Sequence, residues 1–237
     1  DLVFDAIQYV EQDPDGKTII SKFHGSGGEG HEVVDFIRPV KAVCNIEHWL
    51  IALLKTMHET LKEKARECAA GVAQVQTDLS PLPPLVDGSI AQFALLAVQI
   101  MWTYETQTAL EQCRTKKNAM KENCQRQMQV LSEMSTWCLQ DLGTKVNRKK
   151  IETLVTIHVH QRDIAQELMQ LVRARKVQDA NDFDWLKQAR FYWRPSSADD
   201  VNDNGATVVS ITDVDFNYQY EYLGSKERLV VTPLTDK

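Results

Sequence analysis

No stretch of this sequence approaches the roughly 20 consecutive apolar residues that cross a bilayer. The most apolar segment, SIAQFALLAVQIMW, is interrupted by Gln92 and Gln99 and reads as a core helix. An excess of positive charge is also missing. Against 33 Asp and Glu stand 27 Lys and Arg, a formal charge of -6 that argues against a nucleic-acid partner. The basic run NRKK at Asn147 to Lys150 is too short to change that balance. There is no CxxC pair. Cys44, Cys68, Cys113, Cys124 and Cys138 make an odd set of five and read as reduced, structural thiols of a cytosolic protein. A GxSxG nucleophile motif and a complete GxxxxGK[ST] phosphate loop are both lacking, since Gly16-Lys17-Thr18 has Glu11 where the first Gly would stand, so neither acyl transfer nor Mg·ATP hydrolysis is expected of these residues. No internal repeat is visible. The chain opens on Asp1 rather than Met and shows no signal peptide, so a fragment or processed product is expected.

What is present is an ordinary globular composition. Of the 237 residues, 43% are hydrophobic and 25% charged, enough for one large domain or two small ones. Residues 1 to 43 alternate apolar and polar positions on both sides of DPDG, whose Pro14 and Gly16 suit a tight turn. A further strand is expected in HEVVDFIRPVKAV, ending near Pro39.

From Asn45 the period changes to 3.6. Ile46, Trp49, Leu50, Leu53, Leu54, Met57 and Leu61 predict one face of a helix. Asn45 is placed to cap it and Glu47 to meet its dipole. The three prolines of DLSPLPPLVDGS end it. Three more helices are expected, in IAQFALLAVQIMWTYETQTALEQC, in KKNAMKENCQRQMQVLSEMSTWCLQDL to about Gly143, and in RKKIETLVTIHVHQRDIAQELMQLVRAR. A fifth, DFDWLKQARFYW, is read with Asn181 as its cap, Asp184 in a capping-box-like place and Pro195 as its stop. RPSSADDVNDNG is a polar connector, and alternation returns after it, with Val209, Ile211, Phe216, Tyr218 and Tyr220 on one face. The expected fold is mainly α: an elongated bundle of about five helices over 44–194, a β-rich segment over 1–43, a connector over 195–205, and a β-containing segment over 206–237.

The motifs that suggest chemistry are weak. Gly25, Gly27 and Gly30 match GxGxxG, but a strand-like HEVVDF follows instead of a helix, and Glu29 puts a negative charge where phosphate would sit. A hairpin or loop tip is the better reading. His158 and His160 stand two apart, which on a helix splits them between faces, whereas ligation from one face needs a spacing of 3 or 4. His158 with Arg162 and His160 with Asp163 are expected as neighbours, and no metal is expected. Asp199 and Asp200 read as solvated. The aromatics of FDWLKQARFYW cover more than one helix face, which fits either a core element or a wedge that docks another domain.

Taken together, IEHWLIALLKTMHETL, QIMWTYETQTALE, VHQRDIAQELM, NDFDWLKQARFYW and FNYQYEYLGSKERLVVTPLTDK resemble the dynein heavy chain family. The resemblance covers most of the chain and places it in the C-terminal part of the linker, running into the first AAA+ module. The last two stretches are similar to axonemal chains, of outer-arm type. LSPLPPLVDGS departs from the family, which has an aromatic and a short Pro-Gly or Pro-Ala turn there.

The resemblance implies a mechanical element, a lever that swings across the ring as the first module cycles through ATP. It implies that Val230, Val231, Thr232, Pro233 and Leu234 border the adenine pocket, while ATP and Mg are held by the neighbouring module and no cofactor by this segment. Trp185, Arg190, Phe191, Trp193, Tyr220, Tyr222 and Gly224 are the hinge or docking candidates, and the connector is the candidate compliant part. Implied partners are the AAA+ ring of the same heavy chain, dynein intermediate and light chains, other heavy chains, and microtubules through a separate domain. Nucleic acid and membrane are not among them. The implied location is the cytoskeleton of the cytoplasm, in the axoneme of a cilium or flagellum. Two competing expectations stay open: a fragment that itself binds nucleotide, and a static helical scaffold of an axonemal complex.

Overall fold

The computed structural model describes residues 9–12, 14–24, 32–43, 45–75, 79–80, 82–140, 144–194 and 205–222. Three antiparallel strands come first: β1 (Tyr9–Gln12), β2 (Thr18–His24) and β3 (Val33–Lys41), in the order β1-β2-β3. Gly16, with φ +72, supplies the left-handed residue that the β1–β2 turn needs. Ile20, Phe23, Val34, Phe36 and Val40 turn inward; Val34, Phe36 and Val40 follow period-2 alternation, while the register shift between Ile20 and Lys22 brings Phe23 to the side of Ile20. β3 does not end at Pro39 but runs to Lys41. It lies at the edge of the sheet, where a residue without an N–H costs no ladder bond.

The sheet packs on α1 (Ile46–Val75), where Ile37 N–H donates to Thr60 Oγ1 at 3.2 Å. The proline-rich stretch is not simply a break. Residues Leu82–Gly88 form a short helix, α2, with Pro83 and Pro84 in its first turn, where the missing N–H groups have no helical partner to lose. α2 crosses α1 closely at Gly71, where an added Cβ would stand 2.5 Å from a Leu85 methyl.

α3 (Ala91–Gln112) is the central helix, followed by α4 (Ala119–Cys138) and α5 (Lys145–Arg173). Phe93, Ala94, Leu96, Val98, Ile100, Met101 and Trp102 are all buried, so α3 is covered around most of its girth, as its unbroken apolarity requires. Thr144 caps α5, its hydroxyl accepting from Asn147 N–H at 3.1 Å.

The expected fifth helix is replaced by two elements. Only Phe183–Leu186 is helical (α6), and Arg190–Arg194 is a strand, β4. Asp182 precedes α6, and its carboxylate turns back to accept from Gln178 and Asp179 N–H rather than forward into the helix. Those two bonds hold its carboxyl below the ordinary range. The bulky Phe-Tyr-Trp run suits a pleated surface. It pairs with β5 (Ala206–Ile211), which pairs with β6 (Val214–Asn217), in the order β4-β5-β6.

The outcome is mainly helical with a small sheet at each end of the chain, the fold class expected from the sequence. One hydrophobic core joins the N-terminal sheet, α1, α2 and the first half of α3 with the facing parts of α4 and α5. A second gathers Trp102, Leu110, Met120, Ile164, Leu168, Val177 and Trp185.

Candidate functional site

The N-terminus of α3 is where distant parts of the chain meet. Ala91 N–H donates to both carboxylate oxygens of Glu32, at 3.0 and 2.9 Å, a charge-assisted cap contributed from outside the helix. Lys150, from the first turns of α5, reaches into the same place. Its ammonium donates to the carbonyls of Ser89 (2.7 Å) and Val86 (3.2 Å) and stands 3.9 Å from Glu32 Oε1. Both side chains are nearly sequestered, at 5% and 11% exposure, so each charge depends on its partners.

The C-terminal segment docks on this hub. Tyr222 OH donates to Glu32, with Oε2 at 3.1 Å and the main-chain carbonyl at 3.2 Å. Its ring meets Phe23 edge-on, centroids 5.5 Å apart. Burial, with the Glu32 charge beside it, pushes the phenol pKa well up, so the hydroxyl stays a donor. Gln92, the next residue of α3, donates to Tyr218 OH at 2.6 Å and to Glu221 O at 2.7 Å.

The expected site residues divide. Phe191, Trp193, Tyr220 and Tyr222 border the first core together with Tyr218. Trp185 is fully buried elsewhere, tilted against Trp102 at 5.4 Å in the second core. Arg190 is buried and donates to Thr212 O at 2.6 Å, which ties the start of β4 to the β5–β6 turn. Trp185 thus lies in α6 and in the second core, whereas Arg190 lies beyond the helix, at the start of β4. Gly224, Val230, Val231, Thr232, Pro233 and Leu234, the GxGxxG stretch at Gly25–Gly30 and residues 195–204 of the connector lie outside the described residues. Gly205, the last residue of the connector, has φ +91, and a Cβ there would stand 2.7 Å from Trp193 Nε1.

Glu32, Lys150 and Gln92 were not singled out by sequence reasoning. Lys150 sits in a basic run that looks solvated, and nothing local links it to Glu32. A weak signal existed in the YQYEY repeat, whose hydroxyls need partners wherever the rings are buried.

The histidine reading changes in detail. Asp163 accepts from its neighbour Arg162, at 2.6 Å from Nη2. His158 is fully buried between Gln127 O (3.1 Å) and the Gln161 side chain (3.2 Å). It belongs to a polar layer in which Glu105 receives Arg126 and Gln127, and Arg126 also reaches Val75 O at 2.8 Å. Burial lowers the His158 pKa from 6.5 to about 4. Between those values the unfolded chain holds more protons than the folded one. Stability is therefore full above pH 6.5 and falls towards pH 4, by about 3 kcal/mol from this group. Urea titrations across that range should show the slope, and His158→Gln should flatten it. An equal slope in the variant would assign the acid sensitivity elsewhere. Among the described residues no group of three His, Cys, Asp or Glu is arranged to hold a metal, and no helix is long and apolar enough to cross a membrane. The four described cysteines are free.

No known family profile matches the chain. Individual proteins do. It is 38% identical to the flagellar outer-arm dynein gamma chain of Chlamydomonas reinhardtii over 234 residues, 99% of its length. It is 39% identical to axonemal dynein heavy chain 8 of Mus musculus over 84% of its length, and 38% identical to axonemal dynein heavy chain 5 of Rattus norvegicus over 90%. The chain belongs to the axonemal dynein heavy chains. It spans only 5%, 4% and 6% of those three relatives, so this dynein sequence corresponds to one short stretch of a very long polypeptide.

Proposed function

We propose that this dynein segment is the C-terminal part of the linker, a lever that couples ATP-driven changes in an AAA+ ring to force on microtubules. The observation that carries the reading is the junction around Glu32. A lever needs a stiff body and a fixed point of exit. Two cores bridged by a buried polar layer supply the first, and the hold of Glu32 and Gln92 on Tyr218, Glu221 and Tyr222 supplies the second.

On this reading Val230, Val231, Thr232, Pro233 and Leu234 border the adenine of a nucleotide held, with Mg, by the module that follows. The ATPase activity belongs to the whole heavy chain, and so do the intermediate chains, light chains and microtubule contacts. The place of action is the axoneme of a cilium or flagellum. A static scaffold is the second reading. It is favoured by the exposed strand β6, where Val214 is 48% and Phe216 52% exposed, a surface suited to a lasting contact.

The experiment that separates the two is to read the parent polypeptide beyond Lys237. The lever reading requires a Gly-rich loop with GK[ST] shortly downstream. A parent chain without one would leave the scaffold as the better account.

A further inference from the structure

We propose that the strap Asn217–Tyr222 is the transmission point of the lever, and that Tyr222, seated on Glu32, is the positioning residue that fixes the strap to the helical body. The inference rests on the lever reading above. Its basis is the way three tyrosines at alternate positions are fastened to three separate elements. Tyr218 OH accepts from Gln92 on α3 at 2.6 Å. Tyr220 OH accepts from the main-chain N–H of Thr207 on β5 at 3.0 Å. Tyr222 OH donates to Glu32, ahead of β3, at 3.1 Å.

Between the outer two, Tyr220 is 8% exposed and has φ +54, a left-handed conformation that a bulky L-residue adopts only at a cost. Such strain persists where the surroundings over-determine the backbone, and it is concentrated at functional positions. The strap is therefore held in one shape by its fastenings rather than by its own preference.

The seat for Tyr222 exists without it. Glu32 is already engaged by Ala91 N–H through both oxygens, with the Lys150 ammonium nearby. Removing the phenolic hydroxyl leaves that acceptor satisfied and the ring still against Phe23. The body then stays folded while the strap loosens. Motion of the strap would no longer be passed faithfully to α3 and α5.

The test uses the full-length heavy chain with Tyr222→Phe, and with Gln92→Leu as a second variant that removes two strap contacts from the helix side. ATP turnover, microtubule gliding velocity and energy transfer between a dye on the exposed end of α5 and one on the ring are measured together. Loss of one net hydrogen bond shifts the docked population about fivefold. Gliding should therefore slow while ATP turnover holds, and the ATP-dependent change in energy transfer should shrink in both variants. Wild-type velocity and energy transfer in both variants would overturn the proposal, as would a proportional fall in turnover and velocity, which is the mark of a merely structural contact. If the wild-type chain itself shows no ATP-dependent change in energy transfer, the lever reading fails, and the proposal with it.

Discussion

Trp185→Ala should lower the unfolding free energy by about 3 to 5 kcal/mol, the range for emptying a large aromatic site in a packed core. Trp185 is 0% exposed, packs against Trp102 on α3 at 5.4 Å, and shares its core with Leu168 in α5 and Val177 beyond it. Its partner cannot move to close the gap, because Trp102 Nε1 is fixed by a bond to Gln161 O at 3.1 Å. The loss should also spread to the second sheet, since Thr212 N–H donates to Leu186 O at 2.6 Å and so hangs the β5–β6 turn on the same one-turn helix. Trp185→Phe keeps most of the volume and should recover most of the stability. Urea unfolding followed by far-ultraviolet circular dichroism measures both. An unchanged midpoint for the alanine variant would mean that the second core does not depend on this side chain.

The second large effect is expected at the hub. Lys150→Met removes an ammonium that is 5% exposed, leaves the carbonyls of Val86 and Ser89 without their donor, and leaves Glu32 without a nearby counter-charge. Breaking a buried pair from one side typically costs about 3 to 5 kcal/mol, because the remaining charge is stranded. Glu32 keeps its two bonds from Ala91 N–H, which places the expectation near about 3 kcal/mol, the lower end of that range. Adding Glu32→Gln to Lys150→Met neutralises the stranded carboxylate and should return part of the loss. A double-mutant cycle by chemical denaturation gives the coupling directly. Simple additivity of the two losses would show that the 3.9 Å approach carries no energy of its own.

The long helices were legible because burial imposes a 3.6-residue period over many turns, and α1, α3, α4 and α5 all lie where that period predicts. Their inward faces were less so. In α1, Leu53 and Leu61 are buried as expected, yet Ile46 is 58% and Leu54 43% exposed. The face is rotated because Thr56 and Thr60 turn inward beneath β3. Their hydroxyls are satisfied by the carbonyls one turn back, those of Ala52 and Thr56, so polarity alone does not mark them as surface. The segment Arg190–Arg194 was read as helix because its aromatics fit helical spacing as well as alternation. What decides against helix is distant in sequence: the β5 ladder, and Thr103 Oγ1 accepting from Phe191 N–H at 3.0 Å. The same distance hid the hub, for Lys150 and Glu32 each look like a solvated charge until the fold brings them together. Tyr220 and Tyr222 entered as candidates with the family resemblance, and their partners, Thr207 N–H and Glu32, come from the structure alone.

The measurement that tests the central claim most directly is energy transfer between a donor on α5 and an acceptor on the ring of the full-length heavy chain, recorded as ATP is added and consumed. The proposed linker predicts a reversible, nucleotide-dependent change in distance, because a lever has to move relative to the ring as nucleotide changes. A constant distance in every nucleotide state would contradict the lever and leave a fixed structural arm in its place.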